Sequence, residues 1–341
     1  MHWTTRGLPQ AARPLLAVMA GAAVTLLGAT GAEARTRNYY IQAEDVTWNF
    51  APSGQDLLLG GPVPEPWTNS HIFQKTRYIE YTDGAFNRRK AQPEWLGVLG
   101  PIIRAEVGDT VIVHFRNGAR SGSYGMHPHG FRYTKDNEGA HYQGANSGQP
   151  PGAGAEVPFG GSFDYVWEAD PDSSPGPGDP SSLVWWYHSH ISESAETNRG
   201  LLGPIVITRA GSARADGSPK DVDREFVTAF FIFNELDGEE PGLMHAINGR
   251  IFGNLKGLTM NAGEKVRWYV IGMGNEVDLH SPHWHGKTVR VGGSQTDVVN
   301  LLPATMITAD MNADNTGEWM YHCHVSDHIA AGMYTSYQIL P

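Results

Sequence analysis

The sequence EVGDTVIVHFRN at Glu106–Asn117 has a pattern that recurs later in the chain, as NAGEKVRWYVIG at Asn261–Gly272. This repeat is the first indication of how the chain folds. Each copy places a glycine beside an acidic residue, which is typical of a turn, and continues with β-branched and aromatic residues, which favour a strand. A shared turn and strand in the two halves of the chain predicts two domains of the same kind.

Other short runs have the composition of strands, and no long stretch has the apolar spacing of an amphipathic helix. The predicted strands are Asp109–Asn117, Ser162–Trp167, Leu202–Thr208, Glu225–Phe233, Lys265–Ile271 and Tyr334–Leu340. We therefore predict an all-β fold built from two β-sandwich domains.

The N-terminal segment has the pattern of an export signal. Arg6 and Arg13 precede the apolar run Leu15–Thr30, which ends in the small-x-small pattern of Ala32–Ala34. A polar segment rich in small residues separates the two halves further along the chain. These features predict a signal peptide over residues 1–34, a first domain over 35–208, a linker over 209–223 and a second domain over 224–341.

The formal net charge is −11, which argues against a nucleic-acid-binding surface. No later segment is apolar and long enough to span a bilayer, so the mature chain is expected outside the membrane, in the periplasm or the extracellular medium. Cys323 is the one cysteine of the chain, so an internal disulfide cannot explain a thiol in an oxidising compartment.

Four residues near the C-terminus explain this cysteine. They are His280, Cys323, His328 and Met333. Two imidazoles, a thiolate and a weak axial thioether are the ligands of a blue-copper (type 1) electron-transfer site, whereas zinc would have no need of the methionine. The matching positions of the first half hold Tyr124, Ser189, Ser194 and, across a small gap, Leu201. The repeat thus predicts one mononuclear site, in the second domain only.

The chain also contains four His-x-His pairs, two in each half. In an extended strand the two imidazoles of such a pair lie on the same face, where they can hold one metal ion or two adjacent ions. The eight histidines are His127, His129, His188, His190, His283, His285, His322 and His324. Eight imidazoles suffice for three metal ions with positions left open for a small oxidant.

These motifs together resemble the multicopper oxidases, specifically the two-domain small laccases. The motifs that carry the resemblance are HPH at His127–His129, HSH at His188–His190, HSPHWH at His280–His285 and HCHVSDHIAAGM at His322–Met333. Two further stretches, WLGVLGPIIRAEVGD at Trp95–Asp109 and MHAINGRIFG at Met244–Gly253, look like the domains of ceruloplasmin. The resemblance extends from about residue 36 to the C-terminus.

The resemblance implies two cupredoxin domains, about four coppers per chain and a homotrimer, in which the copper cluster lies between the first domain of one subunit and the second domain of the next. Type 2 copper would be held by His127 and His283. One type 3 copper would be held by His129, His188 and His324, and the other by His190, His285 and His322.

Two further residues are candidates for a relay near the type 2 copper. Tyr133 follows His129 in the strand that leaves the cluster, and Glu138 follows in a loop. Because reduction of dioxygen to water consumes protons, an acid within reach is chemically expected. A packed tyrosine and a solvated glutamate explain the two residues equally well. The remaining histidines His71, His114, His141 and His245 are interpreted as structural or surface residues, with His114 as a satisfied core side chain.

The predicted function is a laccase-like copper oxidoreductase that couples one-electron oxidation of phenols or aromatic amines to four-electron reduction of dioxygen. Oxidation of metal ions such as Fe(II) or Cu(I) is the alternative for the reductant. A copper nitrite reductase is disfavoured because Ser189 occupies the first-domain position of the thiolate. An electron carrier would need only the mononuclear site, so the four His-x-His pairs would have no function in it. A copper-storage protein would not need the Cys-x4-His-x4-Met spacing.

Overall fold

The computed structural model describes residues 34–238 and 241–341. The predicted signal peptide, residues 1–34, lies outside these ranges except for its last residue. Within the described part of the chain, the structure contains no helix that is both long and apolar enough to cross a bilayer.

The first domain is a sandwich of two four-stranded sheets. Its strands are β1 (Thr36–Asn49), β2 (Ile72–Tyr81), β3 (Ile103–Glu106), β4 (Thr110–Asn117), β5 (His127–Pro128), β6 (Ser162–Glu168), β7 (Ser182–His188) and β8 (Leu202–Thr208). One sheet has the order β2-β1-β4-β6 and the other the order β3-β8-β7-β5.

The second domain is a sandwich of a six-stranded and a four-stranded sheet. Its strands are β9 (Arg224–Asn234), β10 (Leu243–Ile247), β11 (Thr259–Asn261), β12 (Lys265–Gly272), β13 (Pro282–Trp284), β14 (Val289–Val291), β15 (Ser294–Thr296), β16 (Met306–Asn312), β17 (Gly317–Cys323) and β18 (Tyr334–Leu340). The sheet orders are β10-β9-β12-β16-β14-β15 and β11-β18-β17-β13.

Helices are short and lie next to the histidine motifs. The helix α1 (Glu193–Arg199) follows the HSH motif, and α2 (Ser326–Ala330) follows the HCH motif. Single 3-10 turns occur at Trp67–Asn69, Glu94–Leu96, Lys135–Asn137 and Pro171–Ser173. The predicted all-β class and the two cupredoxin-like sandwiches are therefore confirmed.

The two segments that repeat in sequence also occupy equivalent positions in the topology of the two domains. The turns before β4 and β12 each use a glycine with positive φ, +103° at Gly108 and +90° at Gly263, a conformation that L side chains rarely adopt. Strand β4 then pairs in parallel with β1, and β12 pairs in parallel with β9. Each predicted strand is observed, with bounds that agree to within one residue.

The apolar core has three parts. One cluster fills the first sandwich around Tyr165 and Trp167, and another fills the second around Trp268 and Trp284. A third combines residues of both domains, among them Trp48, Phe50 and Phe231. The two sandwiches are thus joined by a continuous apolar interface, and burial of this surface stabilises their relative placement.

A buried arginine links both domains to the predicted linker. The guanidinium of Arg267, 1% exposed, donates to both oxygens of Asp310 at 2.7 and 2.9 Å. It also donates to Ser182 Oγ at 2.8 Å and to Asp221 Oδ2 at 3.1 Å. Asp221 lies in the segment 209–223, so this segment is held against the second domain rather than detached from it.

We expect Arg267→Leu to lower the free energy of unfolding by about 3 kcal/mol, because it leaves two carboxylates without their shared cation. Urea denaturation measures this change. The control is Arg290→Leu on strand β14 of the same sheet, where the side chain is exposed and the expected change is below about 0.5 kcal/mol. Equal effects in the two variants would contradict the role given to Arg267.

Candidate metal centres

Three side chains of the second domain converge on one point in its core. The Nδ1 atoms of His280 and His328 are 3.2 Å apart. Cys323 Sγ lies 3.9 Å from His280 Nδ1 and 3.6 Å from His328 Nδ1. A single ion at the centre of this triangle would reach all three atoms at ordinary copper–nitrogen and copper–sulfur distances. The three residues are the ligands predicted for the type 1 copper.

Backbone hydrogen bonds close the loop that carries these ligands. Cys323 N–H donates to the Met333 carbonyl at 3.0 Å, and Met333 N–H donates to the His328 carbonyl at 3.0 Å. Met333 is fully buried in the same core cluster as Cys323. The segment with the Cys-x4-His-x4-Met spacing thus folds back on itself. Met333, the fourth predicted ligand, therefore lies beside Cys323.

The thiol of Cys323 is placed to be a metal-bound thiolate. Burial raises the pKa of this thiol above its ordinary value. A thiolate therefore forms here when a cation lies beside it. The Ser281 N–H group points at the sulfur, 3.4 Å away, as is expected for a negatively charged acceptor.

A buried carboxylate, which the motif spacing did not reveal, holds the first of these histidines. Asp278 and His280 have fully buried side chains, and Asp278 Oδ1 lies 3.2 Å from His280 Nε2. The carboxylate also accepts the N–H groups of Ile232 at 2.7 Å and Asn275 at 3.0 Å. Because Nε2 is engaged with Asp278, His280 presents Nδ1 to the metal position.

This arrangement requires a glycine at position 274. Gly274 has φ +108°, and a Cβ atom there would overlap the Asp278 carboxylate. Gly274→Ala therefore displaces the carboxylate that orients His280. We expect the variant to lose roughly 2 kcal/mol of stability and a large part of its blue absorption.

The matched control is Gly108→Ala, where φ is +103° and nothing lies within 4 Å of the added Cβ. It carries the same backbone strain without the overlap, so its spectrum should equal that of the unmodified protein. Visible absorption at fixed copper loading, together with thermal unfolding, separates the two effects. Equal spectra for both variants would refute the role given to Asp278.

The histidines of the first domain form a second cluster. His129 Nε2 and His188 Nε2 are 3.3 Å apart, and the ligand atoms of His127, His129 and His188 lie within 4.8 Å of one another. The ring of His190 lies 5.1 Å from that of His127, centroid to centroid. Trp186 stacks on His188 at 4.2 Å and lies 4.9 Å from the His129 ring, which restricts both imidazoles.

The histidines of the second domain form an equivalent cluster. His285 Nε2 and His322 Nε2 are 3.0 Å apart, and His283 completes a group whose ligand atoms lie within 4.8 Å of one another. The exposed His324 has its ring 5.5 Å from the rings of His283 and His322.

Hydrogen bonds to backbone carbonyls fix the tautomers of equivalent histidines in the same way in both domains. His127 Nδ1–H donates to the Glu138 carbonyl at 2.7 Å, and its counterpart His283 donates to the Asp297 carbonyl at 2.8 Å. His188 and His322 each donate Nδ1–H to the carbonyl of the residue that follows, at 2.9 and 2.7 Å. In all four rings Nε2 remains free as a metal ligand.

Burial favours the neutral form of four of the cluster histidines. It lowers the pKa of His129 to about 4 and that of His188 well below its ordinary value. The pKa values of His285 and His322 are lowered by the same cause. Neutral rings at physiological pH are the form that binds a metal ion.

The two histidine clusters remain separate within one chain. Among the described residues, no group of converging ligand atoms combines histidines of the two domains. Each domain therefore has a histidine cluster of its own.

The two candidate relay residues both lie beside His127. The Tyr133 ring lies 5.8 Å from the His127 ring. Glu138 contacts His127 through its backbone carbonyl, whereas its carboxylate binds Lys135 and accepts the Tyr142 hydroxyl at 2.7 Å. Burial alone would raise the pKa of Glu138, but these two hydrogen bonds bring it below its ordinary value, so the carboxylate is a poor proton donor.

Among the other histidines, His245 lies close to the mononuclear site, which its sequence context did not indicate. It is 7% exposed and its ring lies 5.2 Å from that of the ligand His328. His114 is hydrogen bonded to Asp164 and stacked on Tyr40, but its side chain is 27% exposed. It is a satisfied residue of the outer sheet face rather than of the core.

The first domain has a backbone arrangement equivalent to that of the mononuclear site in the second domain, but it lacks the metal-ligating side chains. Ser189 stands at the repeat position of Cys323 and is fully buried. Gly125 N–H donates to Ser189 Oγ at 3.2 Å, as Ser281 N–H does to Cys323 Sγ. The same backbone donor thus serves a hydroxyl in one domain and a thiol in the other. A set of two imidazoles and a soft thiolate, present in the second domain alone, fits copper.

Comparison with known proteins agrees with this chemistry. Two sequence profiles described as multicopper oxidase match residues 95–212 and 227–341, and together they cover more than half of the chain. The chain belongs to the multicopper oxidase family. The matched ranges contain all the predicted copper ligands.

Several human proteins are similar in sequence. Ferroxidase HEPHL1 is 38% identical over 93% of this chain, hephaestin is 37% identical over 89%, and ceruloplasmin is 35% identical over 92%. The chain spans only 30%, 29% and 32% of the lengths of these three relatives.

Solved structures of multicopper oxidases share the fold. One aligns with a TM-score of 0.63 at 20% identity, covering 89% of each chain. The multicopper oxidase mgLAC aligns with a TM-score of 0.61 at 21% identity, covering 90% of this chain and 86% of its own.

Proposed function

We propose that the protein is an oxidase that takes single electrons from a small reductant and passes them to dioxygen. The observation that carries the proposal is the sequence His322–Cys323–His324, which joins the mononuclear site to the second-domain histidine cluster by covalent bonds. Copper bound at these sites would supply the redox chemistry, one electron at a time at the first site and dioxygen reduction at the second.

The chain's own contribution is a short and rigid connection between the two sites. His322 Nδ1–H donates to the carbonyl of Cys323 at 2.7 Å, which adds a hydrogen-bonded path to the covalent one. Ser281 N–H and the carbonyl of Met333 hold the cysteine from either side. Fixed ligands reduce the reorganisation that accompanies each electron transfer.

The proposal includes a homotrimer with three shared clusters. The histidines of one domain would meet those of the other domain in the next subunit, in a head-to-tail ring that closes by symmetry. Support comes from exposed apolar side chains of the second domain, including Val277, Leu279 and Leu302 at 54%, 51% and 55% exposure. Val298, 37% exposed, pairs with His283 in a short antiparallel bridge. Such residues are typical of an interface.

In this trimer, about four coppers per chain are expected: one type 1, one type 2 and two type 3. The short Nε2–Nε2 distances support placing His129 with His188 on one type 3 copper and His285 with His322 on the other. His324 and His190 would complete these sites from the neighbouring subunit, and His127 would meet His283 at the type 2 copper.

Phenols or aromatic amines are the proposed reductants, and Fe(II) is the second candidate. The names of relatives such as ferroxidase HEPHL1 favour the second, although the chain spans 30% of that protein. A nitrite reductase receives no support from the first-domain site, where Ser189 accepts a backbone hydrogen bond in place of a thiolate. Export to the periplasm or the extracellular medium remains part of the proposal.

The test is copper content and visible spectrum of copper-loaded protein, with oxygen uptake followed in the same cuvette. About four coppers per chain, an intense band at about 600 nm and oxygen uptake with 2,6-dimethoxyphenol or Fe(II) are expected. About two coppers with nitrite-dependent turnover and no oxygen uptake would overturn the proposal in favour of a nitrite reductase.

A further inference from the structure

The start of strand β18 has the mononuclear site on one side and the first domain on the other. Met333, which precedes the strand, belongs to the core cluster of the second sandwich together with Cys323. Tyr334, the next residue, belongs to the cluster that combines residues of both domains, and it is 3% exposed. Tyr334 is also the strand partner of His322 in the pairing of β17 with β18. Because adjacent residues share a peptide unit, a contact that holds Tyr334 also restricts the backbone at Met333.

A loop of the first domain makes such a contact. The Tyr334 hydroxyl donates to Asp56 Oδ2 at 2.5 Å. Asp56 is 7% exposed and lies in the connection between β1 and β2. Its other oxygen accepts the N–H groups of Leu58 at 3.1 Å and Leu59 at 2.9 Å. Removal of the tyrosine hydroxyl would take a donor away from a buried carboxyl group, which is costly.

Backbone hydrogen bonds reinforce the contact through a loop of the second domain. Leu57 N–H, next to Asp56, donates to the Phe252 carbonyl at 3.1 Å. Phe252 N–H donates to the Gly332 carbonyl at 2.9 Å, and the following N–H group donates to the Tyr334 carbonyl at 3.0 Å. The rings of Phe252 and Tyr334 also meet edge to face, with their centroids 5.9 Å apart. Both residues that flank the methionine are thus held by contacts that begin in the first domain.

We propose that Asp56 is a positioning residue for the mononuclear site: through Tyr334 it fixes the position of Met333 and so sets the reduction potential of the type 1 copper. The inference rests on the proposed oxidase function, in which Met333 is the axial ligand. The axial ligand of such a site tunes its potential. A thioether that is held less firmly donates less to Cu(II), which favours Cu(I) and raises the potential. The potential of a copper in the second domain then depends on a loop of the first.

Two substitutions break the contact from its two ends. Tyr334→Phe removes the hydroxyl and keeps the ring. Asp56→Ala removes the acceptor and leaves the tyrosine intact, so it tests the same bond if the first variant folds poorly. Asp56→Asn is the conservative variant, because its amide oxygen can accept the backbone N–H groups while its NH2 group donates to the tyrosine hydroxyl.

Tyr269→Phe is the matched control. Tyr269 is fully buried on β12, and its hydroxyl is also hydrogen bonded to the first domain, at a distance of 2.7 Å from Ser182 Oγ. Strand β12 carries none of the predicted copper ligands. The control therefore loses an equivalent buried contact between the domains without releasing the segment that contains Met333.

Two measurements report on the contact, and neither requires turnover. The reduction potential of the type 1 copper is obtained in the copper-loaded protein by titrating the blue absorption against a mediator of known potential. Hydrogen exchange of residues 328–335 is followed by mass spectrometry in the copper-free protein. The second measurement shows whether the segment has become mobile before any metal binds.

In Tyr334→Phe and in Asp56→Ala, we expect the equilibrium constant for reduction of the copper to rise roughly threefold or more, and exchange in residues 328–335 to become about tenfold faster. Both quantities should keep their unmodified values in Asp56→Asn and Tyr269→Phe. The variant with both Tyr334→Phe and Asp56→Ala should shift the potential no more than the stronger single variant, because the two changes remove one bond.

The inference is overturned if either quantity fails to rise in Tyr334→Phe and Asp56→Ala, or if Tyr269→Phe raises the potential equally. Absence of oxygen uptake with every donor would refute the oxidase function instead, because the potential and the hydrogen exchange are measured without a donor or dioxygen.

Discussion

Cys323→Ser is expected to lose the absorption at about 600 nm and to lower turnover with every donor by about a thousandfold or more. A serine hydroxyl is a hard, neutral ligand and does not replace the thiolate that both defines the mononuclear site and connects it to His322 and His324. The measurement is the visible spectrum and oxygen uptake after the same copper-loading treatment, in which the variant should retain about one copper per chain fewer than the unmodified protein.

The first domain shows why this variant should still fold. Ser189 occupies the repeat position and accepts the Gly125 N–H, which is the geometry that a serine at position 323 would take with Ser281. Ser189→Ala is the matched control: it removes a buried hydroxyl at the same repeat position and should keep both colour and turnover. Survival of the blue band in Cys323→Ser would show that the mononuclear site lies elsewhere.

The second large effect is expected from mixing two inactive variants. His129→Ala breaks the first-domain cluster and His285→Ala breaks the second, so each homo-oligomer should be inactive. In a trimer with shared clusters, every mixed ring has one junction at which both halves are intact. Random mixing in equal amounts should therefore restore about a quarter of the unmodified activity.

Separate affinity tags on the two variants identify the mixed oligomers, and activity should be found in the doubly tagged fraction. Mixing His129→Ala with a second variant of the same cluster, His188→Ala, is the control and should restore nothing. If the doubly tagged fraction of the first mixture is also inactive, the clusters are not shared between subunits in the proposed way.

The fold and the convergence of many candidate ligands could be predicted from the sequence, because both depend on patterns that are local in the chain. Turn glycines such as Gly108 and Gly263 and the strands after them are recognised within a dozen residues. The ligands Cys323, His328 and Met333 lie in one loop, and the strand spacing of each His-x-His pair sets which rings face the same way. The assignment of each histidine to a particular copper stays a prediction.

The surroundings of the sites could not be predicted, because they depend on which distant segments meet. Nothing in the sequence marks Asp278 as a buried residue. The N–H groups of Ile232 and Asn275 stabilise its carboxylate by hydrogen bonds, and the missing side chain at Gly274 leaves space for it. A cleft beside Trp186 likewise forms only because α1 of the first domain faces β9 of the second domain.

If the protein couples one-electron oxidation of the donor to four-electron reduction of dioxygen, the ratio of donor oxidised to oxygen consumed has a fixed value. Fe(II) and 2,6-dimethoxyphenol are each supplied in limited amount, with oxygen uptake and hydrogen peroxide recorded together. About four donor molecules should be oxidised per dioxygen, and peroxide should not accumulate. A ratio of about two with stoichiometric peroxide would contradict it, because the histidine clusters would then not act as one four-electron site.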